Sequence, residues 1–141
     1  GAVAAGLERG CILLIDYGYT RDVFYSGERN RGTLRAYARH QRVPDPLSAP
    51  GKIDLTAHVD FTALLETGKA NGLDLHGFTD QHHFMVGIGA KHFPDGTVAK
   101  SAEMRAFKTL MHPTLMGTSF KALCFSRNVP NARLSGFQFA G

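Results

Sequence analysis

Two short stretches hold the residues best suited to chemistry. In Asp16-Tyr17-Gly18-Tyr19 a carboxylate follows the apolar run Ile12-Leu13-Leu14-Ile15. Just past a buried strand, Asp16 is expected in partial burial, where it could orient a cationic or hydrogen-bonding ligand. It would serve equally as a loop aspartate satisfied by neighbouring amides. Tyr17 and Tyr19 flank Gly18 and offer aromatic faces to a flat or cationic group. The densest polar cluster is Asp54-Leu55-Thr56-Ala57-His58-Val59-Asp60-Phe61. His58 and Asp60 lie at i and i+2, on one side of an extended segment, which predicts a hydrogen-bonded pair able to act as general base. Helix capping explains Asp60 without catalysis. A histidine holding two loops together explains His58 in the same bland way.

Other chemistries find no support in the spacing. Seven histidines (His40, His58, His76, His82, His83, His92 and His112) raise the question of a metal. There is no HExxH, no paired cysteine and no two-histidine-one-carboxylate spacing on a helix, so no metal is expected. There is no Gly-x-Ser-x-Gly elbow for a nucleophile. Gly87-Ile88-Gly89 is too short and misplaced for a phosphate-binding turn.

The elements that must position these residues alternate short apolar runs with amphipathic stretches, which predicts an α/β layered domain. Ile12–Ile15 reads as a parallel strand buried on both faces, with the ligand edge at its carboxyl end. Residues 20–32 read as a mobile loop and Thr33–Arg39 as a second strand. Val43–Gly51 is proline-rich and forbids regular structure. Asp60 is placed to cap a helix whose buried stripe is Phe61, Leu64, Leu65 and Gly68, stopped at Asn71-Gly72. A strand over Leu73–Phe78 follows, then a helix capped by Asp80 and running to about Ile88. A third helix from Ser101 carries Met104, Phe107 and Met111 on one face and stops at His112-Pro113. Ser119–Phe125 is the last strand.

Composition suits one globular domain: 141 residues, 43% hydrophobic, 20% charged. It excludes collagen-like, disulfide-framework and disordered classes. No apolar run approaches the roughly 18 residues of a spanning helix, so no membrane insertion is expected. Cys11 and Cys124 lie in apolar runs and read as small buried hydrophobes in a reducing compartment. The chain opens on Gly1-Ala2-Val3, which implies a start inside a longer protein. The net charge of +4 is local. Residues 21–52 hold seven cations (Arg21, Arg29, Arg31, Arg35, Arg39, Arg42, Lys52) against Asp22, Glu28 and Asp45. That distribution fits a patch for an anionic partner, or a solvated loop. Phe24, Tyr25 and Tyr37 are interleaved as in single-strand binders, but no nucleic-acid motif accompanies them.

Several motifs in register carry a family resemblance. They are Leu14-Ile15-Asp16-Tyr17-Gly18, Gly32-Thr33-Leu34 before Tyr37 and His40, and Pro50-Gly51 before Asp54–Phe61. Gly72-Leu73, Gln81 before Phe84, and Met116-Gly117 before Phe120–Leu123 continue the series. From about Gly10 to Phe125 the chain resembles the MidA-like family of class I S-adenosylmethionine-dependent methyltransferases. That family includes a mitochondrial protein-arginine methyltransferase that assists assembly of respiratory complex I. Met85 stands where the family more often has leucine, a volume-conserving change.

The resemblance implies the C-terminal half of a Rossmann-like methyltransferase sheet, strands four to seven with flanking helices. Ile12–Ile15 would be the fourth strand, Thr33–Arg39 the fifth, Leu73–Phe78 the sixth and Ser119–Phe125 the antiparallel seventh. The glycine-rich turn and acidic residue that hold S-adenosylmethionine in the family have no counterpart here. Residues 1–141 would then be the substrate-side part of one domain, unable alone to bind cofactor or transfer methyl, with an open edge at Ile12–Ile15. Asp16, His58 and Asp60 would be the catalytic residues. Tyr17, Gly18, Tyr19 and Thr56 would bind the acceptor, Gly18 allowing its close approach. A guanidinium acceptor would suit Asp16, which could pair with it bidentately. The implied partner is a protein substrate, a complex I subunit among the options, in the mitochondrial matrix or bacterial cytoplasm. The alternative is a non-catalytic assembly module whose 21–52 region docks an acidic protein surface.

Overall fold

The computed structural model of the chain describes residues 1–92, 102–130 and 133–140. In chain order come α1 (Ala2–Gly6), β1 (Gly10–Tyr19), α2 (Arg21–Phe24), β2 (Arg35–Ala38), β3 (Gln41–Val43) and β4 (Asp54–Thr56). Then follow β5 (Val59–Asp60), α3 (Phe61–Ala70), β6 (Asp74–Asp80), α4 (Gln81–His92), α5 (Ala102–Met111) and β7 (Phe120–Arg127).

The apolar run seeds the main sheet, ordered β5-β1-β7-β6. β7 runs antiparallel to β1, from Gly10 opposite Arg127 to Tyr17 opposite Phe120. β6 pairs antiparallel on the other side of β7, with a bulge between Leu75 and Gly77. β5 adds only two parallel pairs, at Gly18 and Tyr19. The α/β class holds, but Ile12–Ile15 is not buried on both faces. Ile12 and Leu14 pack on the core, whereas Leu13 and Ile15 are 46% and 47% exposed. Among the described residues nothing covers that second face, and Gly10–Tyr17 has a strand on one side only. Cys11 is exposed for the same reason, against expectation, while Cys124 is buried and its thiol is pushed up to about 12 by burial.

The strand expected over Thr33–Arg39 forms as β2 but lies outside the main sheet. It is the centre of a separate sheet ordered β3-β2-β4. Ala36 pairs with Val43 on one side and Leu55 on the other. Both edges of β2 thus find partners within about 20 residues, and closing such short loops costs little entropy. The antiparallel β7 therefore meets β1 directly, with β2 absent from the place given to a fifth strand. Residues 20–32, expected as a mobile loop, are folded into α2 and a short 3-10 turn over Gly27–Arg29. Arg21 anchors them through two hydrogen bonds to the Glu66 carboxylate on α3, at 2.8 and 2.5 Å.

The core lies between the β1/β7 face and α3, where Phe61, Leu123 and Phe125 are buried with Ala4 and Leu73. The Asp60 side chain accepts from the Ala63 amide at 3.0 Å and caps α3 as expected. Asn71 ends that helix and Gly72 takes φ +70°, the left-handed stop its position predicted. Asp80 caps α4 through the His83 amide at 2.9 Å, and the helix continues past Ile88 to His92. α5 ends before His112-Pro113; its expected start, Ser101, lies outside the described residues. No described helix is long and apolar enough to cross a membrane.

Gly68 shows how tightly α3 meets the sheet, because a Cβ there would overlap the Phe125 ring. Gly68→Ala is expected to destabilise the fold by about 1–3 kcal/mol through overpacking. Equilibrium unfolding in urea checks this, and an unchanged midpoint at unchanged slope would show that the ring can yield.

Candidate functional site

The carboxyl end of β1 is the positioning element. Asp16, Tyr17, Gly18 and Tyr19 all lie inside the strand rather than in a loop after it. Asp16 is exposed, not half-buried, because its strand edge has no covering layer among the described residues. Its Oδ1 accepts from the Tyr17 amide at 2.8 Å, leaving Oδ2 free for a ligand. Across the sheet Asp16 stands opposite Lys121, which stands opposite Asp80. Lys121 thus stands in register between two aspartates, and its ammonium donates to the Thr118 carbonyl at 2.7 Å. The row is therefore net anionic and suits a cation.

Gly18 is buried, and its missing side chain has a local cause. A Cβ would overlap the Val59 carbonyl oxygen and sit 2.8 Å from Phe61 Cε2. The glycine admits β5 and the core at this point.

His58 joins the two tyrosines. Its ring stacks on Tyr19 at 4.9 Å and 19°, and meets Tyr17 edge-on at 5.2 Å. Tyr17 also packs edge-on against Phe120. The Arg29 guanidinium sits 4.2 Å over the Tyr19 ring. The His58 amide donates to the buried Thr33 hydroxyl at 3.2 Å, which ties the small sheet to this cluster. Its Nδ1 is buried without a hydrogen-bond partner among the described residues.

The expected His58–Asp60 hydrogen bond does not form. Asp60 turns into α3, where Oδ1 caps the helix and Oδ2 lies 3.8 Å from Arg21 Nε. Capping thus accounts for Asp60. Thr56 ends β4, opposite Arg35 in the small sheet, and is half-buried.

A paired histidine and aspartate does exist, at Asp80 and His83. His83 Nδ1 lies 2.7 Å from Asp80 Oδ1. Burial opposes ionisation of Asp80, but hydrogen bonds from the His83 amide and ring, with Lys121 nearby, hold the carboxyl below its ordinary range. The pair lines a cleft of about 520 Å³ with Tyr19, Thr79 and Lys121, at the carboxyl ends of β1 and β6. Tyr19 reaches both this cleft and His58. The sequence signal for the pair was the i, i+3 spacing at a helix start, which reads first as a cap.

Among the described residues no three histidine, cysteine or acidic side chains gather as a metal site. β1 passes through Thr20 into α2, and β6 leads directly into α4, with no glycine-rich turn at either strand-to-helix junction.

Residues 1–79 match the family described as "Putative S-adenosyl-L-methionine-dependent methyltransferase". The chain belongs to this methyltransferase family. The mitochondrial protein arginine methyltransferase NDUFAF7 of Homo sapiens is 31% identical over 140 residues, 94% of this chain and 29% of the relative. Its Drosophila melanogaster homologue is 30% identical over 151 residues, 100% of this chain and 32% of the relative. Two solved chains of one superfamily from Burkholderia thailandensis share the fold. One has TM-score 0.85 and 35% identity over 98% of this chain and 38% of its own length. The other, described as a "likely methyl transferase" and bound to S-adenosyl-homocysteine, has TM-score 0.83 and 34% identity, covering 98% and 37%. The chain spans at most about a third of the length of these curated relatives.

Within this methyltransferase fold, burial pushes the His58 imidazole below its ordinary value. Arg35 and Arg29 add to that, while the Thr33 backbone and Asp16 oppose it. The unfolded chain then takes up the proton first as pH falls below about 6.5. Stability is whole above that value and declines until the folded imidazole itself protonates. His58→Phe should flatten this part of the decline in unfolding midpoint as pH falls below about 6.5. A slope identical to that of the unaltered chain would contradict the burial of a neutral imidazole.

Proposed function

We propose that residues 1–141 form the acceptor-side part of a protein methyltransferase domain that methylates an arginine side chain. S-adenosylmethionine is the donor in this reading, supported by the family and by the S-adenosyl-homocysteine bound in the Burkholderia relative. In this reading the donor's cradle belongs to the part of the domain outside residues 1–141, which is supported by the absence of a glycine-rich turn at the two described strand-to-helix junctions. The protein acceptor is supported by the names of the curated relatives, with a respiratory complex I subunit as the specific candidate. Their mitochondrial naming supports the mitochondrial matrix, with the cytoplasm as the bacterial counterpart.

The observation that carries the acceptor assignment is the row Asp16, Lys121 and Asp80 in register across the sheet, of which Lys121 and Asp80 line the 520 Å³ cleft. An arginine entering there meets Asp16 Oδ2, while Oδ1 stays with the Tyr17 amide. That makes the contact single rather than bidentate and lets the guanidinium rotate toward its methyl donor. Arg29 over Tyr19 demonstrates that this aromatic cluster holds a guanidinium. Proton acceptance is assigned to the neutral His58 or to His83, whose ring Asp80 orients. Asp60 and Gly18 act by positioning the strand and helix, and Thr56 by holding the small sheet against the site.

Methyl transfer depends on placing the nucleophile in line, so a single lost orienting contact should be felt in turnover. In the complete protein, Asp16→Asn is expected to slow methyl transfer about 100-fold. S-adenosylmethionine affinity, read by calorimetry, should stay essentially unchanged. Unaltered turnover would remove Asp16 from the acceptor site.

A further inference from the structure

The four cations of residues 21–52 that the catalytic reading leaves unused share one region. Arg21 is spent on Glu66, Arg29 on Tyr19 and Ser26, and Arg35 on the Gly32 and Leu34 carbonyls. Arg31, Arg39, Arg42 and Lys52 are exposed, and their side chains have no hydrogen bond or ion pair among the described residues. Three of them, Arg39, Arg42 and Lys52, line one hollow of about 490 Å³ between the β2–β3 hairpin and the proline-rich loop. No acidic side chain lines it. Asp45 accepts from the Leu47 amide at 2.9 Å, and Asp54 is separated from Arg42 by Tyr37 on the middle strand.

The hairpin is built against local preference. Its two-residue turn is Arg39-His40, and both residues lie in the left-handed region, at φ +51° and +63°. Such turns favour Asn-Gly, because a longer side chain is strained there. A turn kept strained while its side chains face solvent is a feature associated with function.

We propose that this hollow docks an acidic segment of the protein partner. Unpaired cations around a recess free of carboxylates offer charge-assisted hydrogen bonds to several glutamates or aspartates at once. The surface complements the net-negative edge at Asp16 and Asp80, and the two together fit a partner in which an acidic stretch accompanies a basic acceptor. The proposal builds on the acceptor reading but is separable from it, since Asp16 takes no part in the hollow.

The test uses the complete protein and a fluorescent peptide containing four glutamates, with binding read by anisotropy. The unaltered protein should bind it, more weakly as salt rises. Arg42→Glu with Lys52→Glu should weaken binding by at least about tenfold. Arg39→Asn with His40→Gly relaxes the turn, so its thermal midpoint should hold or rise while peptide binding falls. Asp16→Asn should leave peptide binding unchanged whatever it does to methyl transfer. No binding by the unaltered protein, binding by both double variants as tight as that of the unaltered protein, or preference for a single-stranded oligonucleotide over the peptide would overturn the proposal.

Discussion

The antiparallel ladder between β1 and β7 is the constraint on which the rest depends. Eight register pairs, from Gly10–Arg127 to Tyr17–Phe120, hold β1 along nearly its whole length. The same ladder seats Leu123 and Phe125 against α3, and extends through β7 to β6. It therefore decides which residues reach the carboxyl edge together. Asp16, Lys121 and Asp80 become neighbours only because β7 lies between two strands that run the same way. Open α/β sheets collect their ligands at that edge, and here it is where the carboxylates, the tyrosines and the cleft converge.

Charge is arranged around this frame with little waste. Arg21 and Arg29 fasten the segment after β1, one to α3 and the other to Tyr19 and Ser26. The small sheet is fastened by Thr33 to His58, so the cationic hollow is attached to the aromatic cluster through a hydrogen bond. Arg39, Arg42 and Lys52 lie on the small sheet and its loop, whereas Asp16, Lys121 and Asp80 lie in register on the main sheet. In the proposed reading these two charged regions would contact different parts of a protein partner.

What the sequence revealed was local. The Asp60 cap, the Phe61–Gly68 stripe, the Asn71-Gly72 stop and the Asp80 cap each depend on residues a few positions apart, and each formed where expected. Pairing between distant strands was less legible. β2 has the alternation of any half-buried strand, and only its nearby partners β3 and β4 exclude it from the main sheet. The exposure of Leu13, Ile15 and Cys11 depends on which strands and layers flank β1, which an apolar run cannot specify. At the site, His58–Asp60 failed because a carboxylate that caps a helix is already committed. Asp80–His83 was missed because its spacing also describes a cap. The family resemblance supplied the chemistry, and the structure showed which of these residues stand in contact.

The central claim is that the carboxyl edge of β1 and β6 receives the acceptor. Hydrogen–deuterium exchange on the complete protein tests it most directly, with S-adenosyl-homocysteine and the acceptor protein added separately and together. The account predicts that the acceptor slows exchange at residues 16–20 and 78–83, and that the homocysteine alone leaves them nearly unchanged. Protection of those segments by the homocysteine alone, with none from the acceptor, would contradict it.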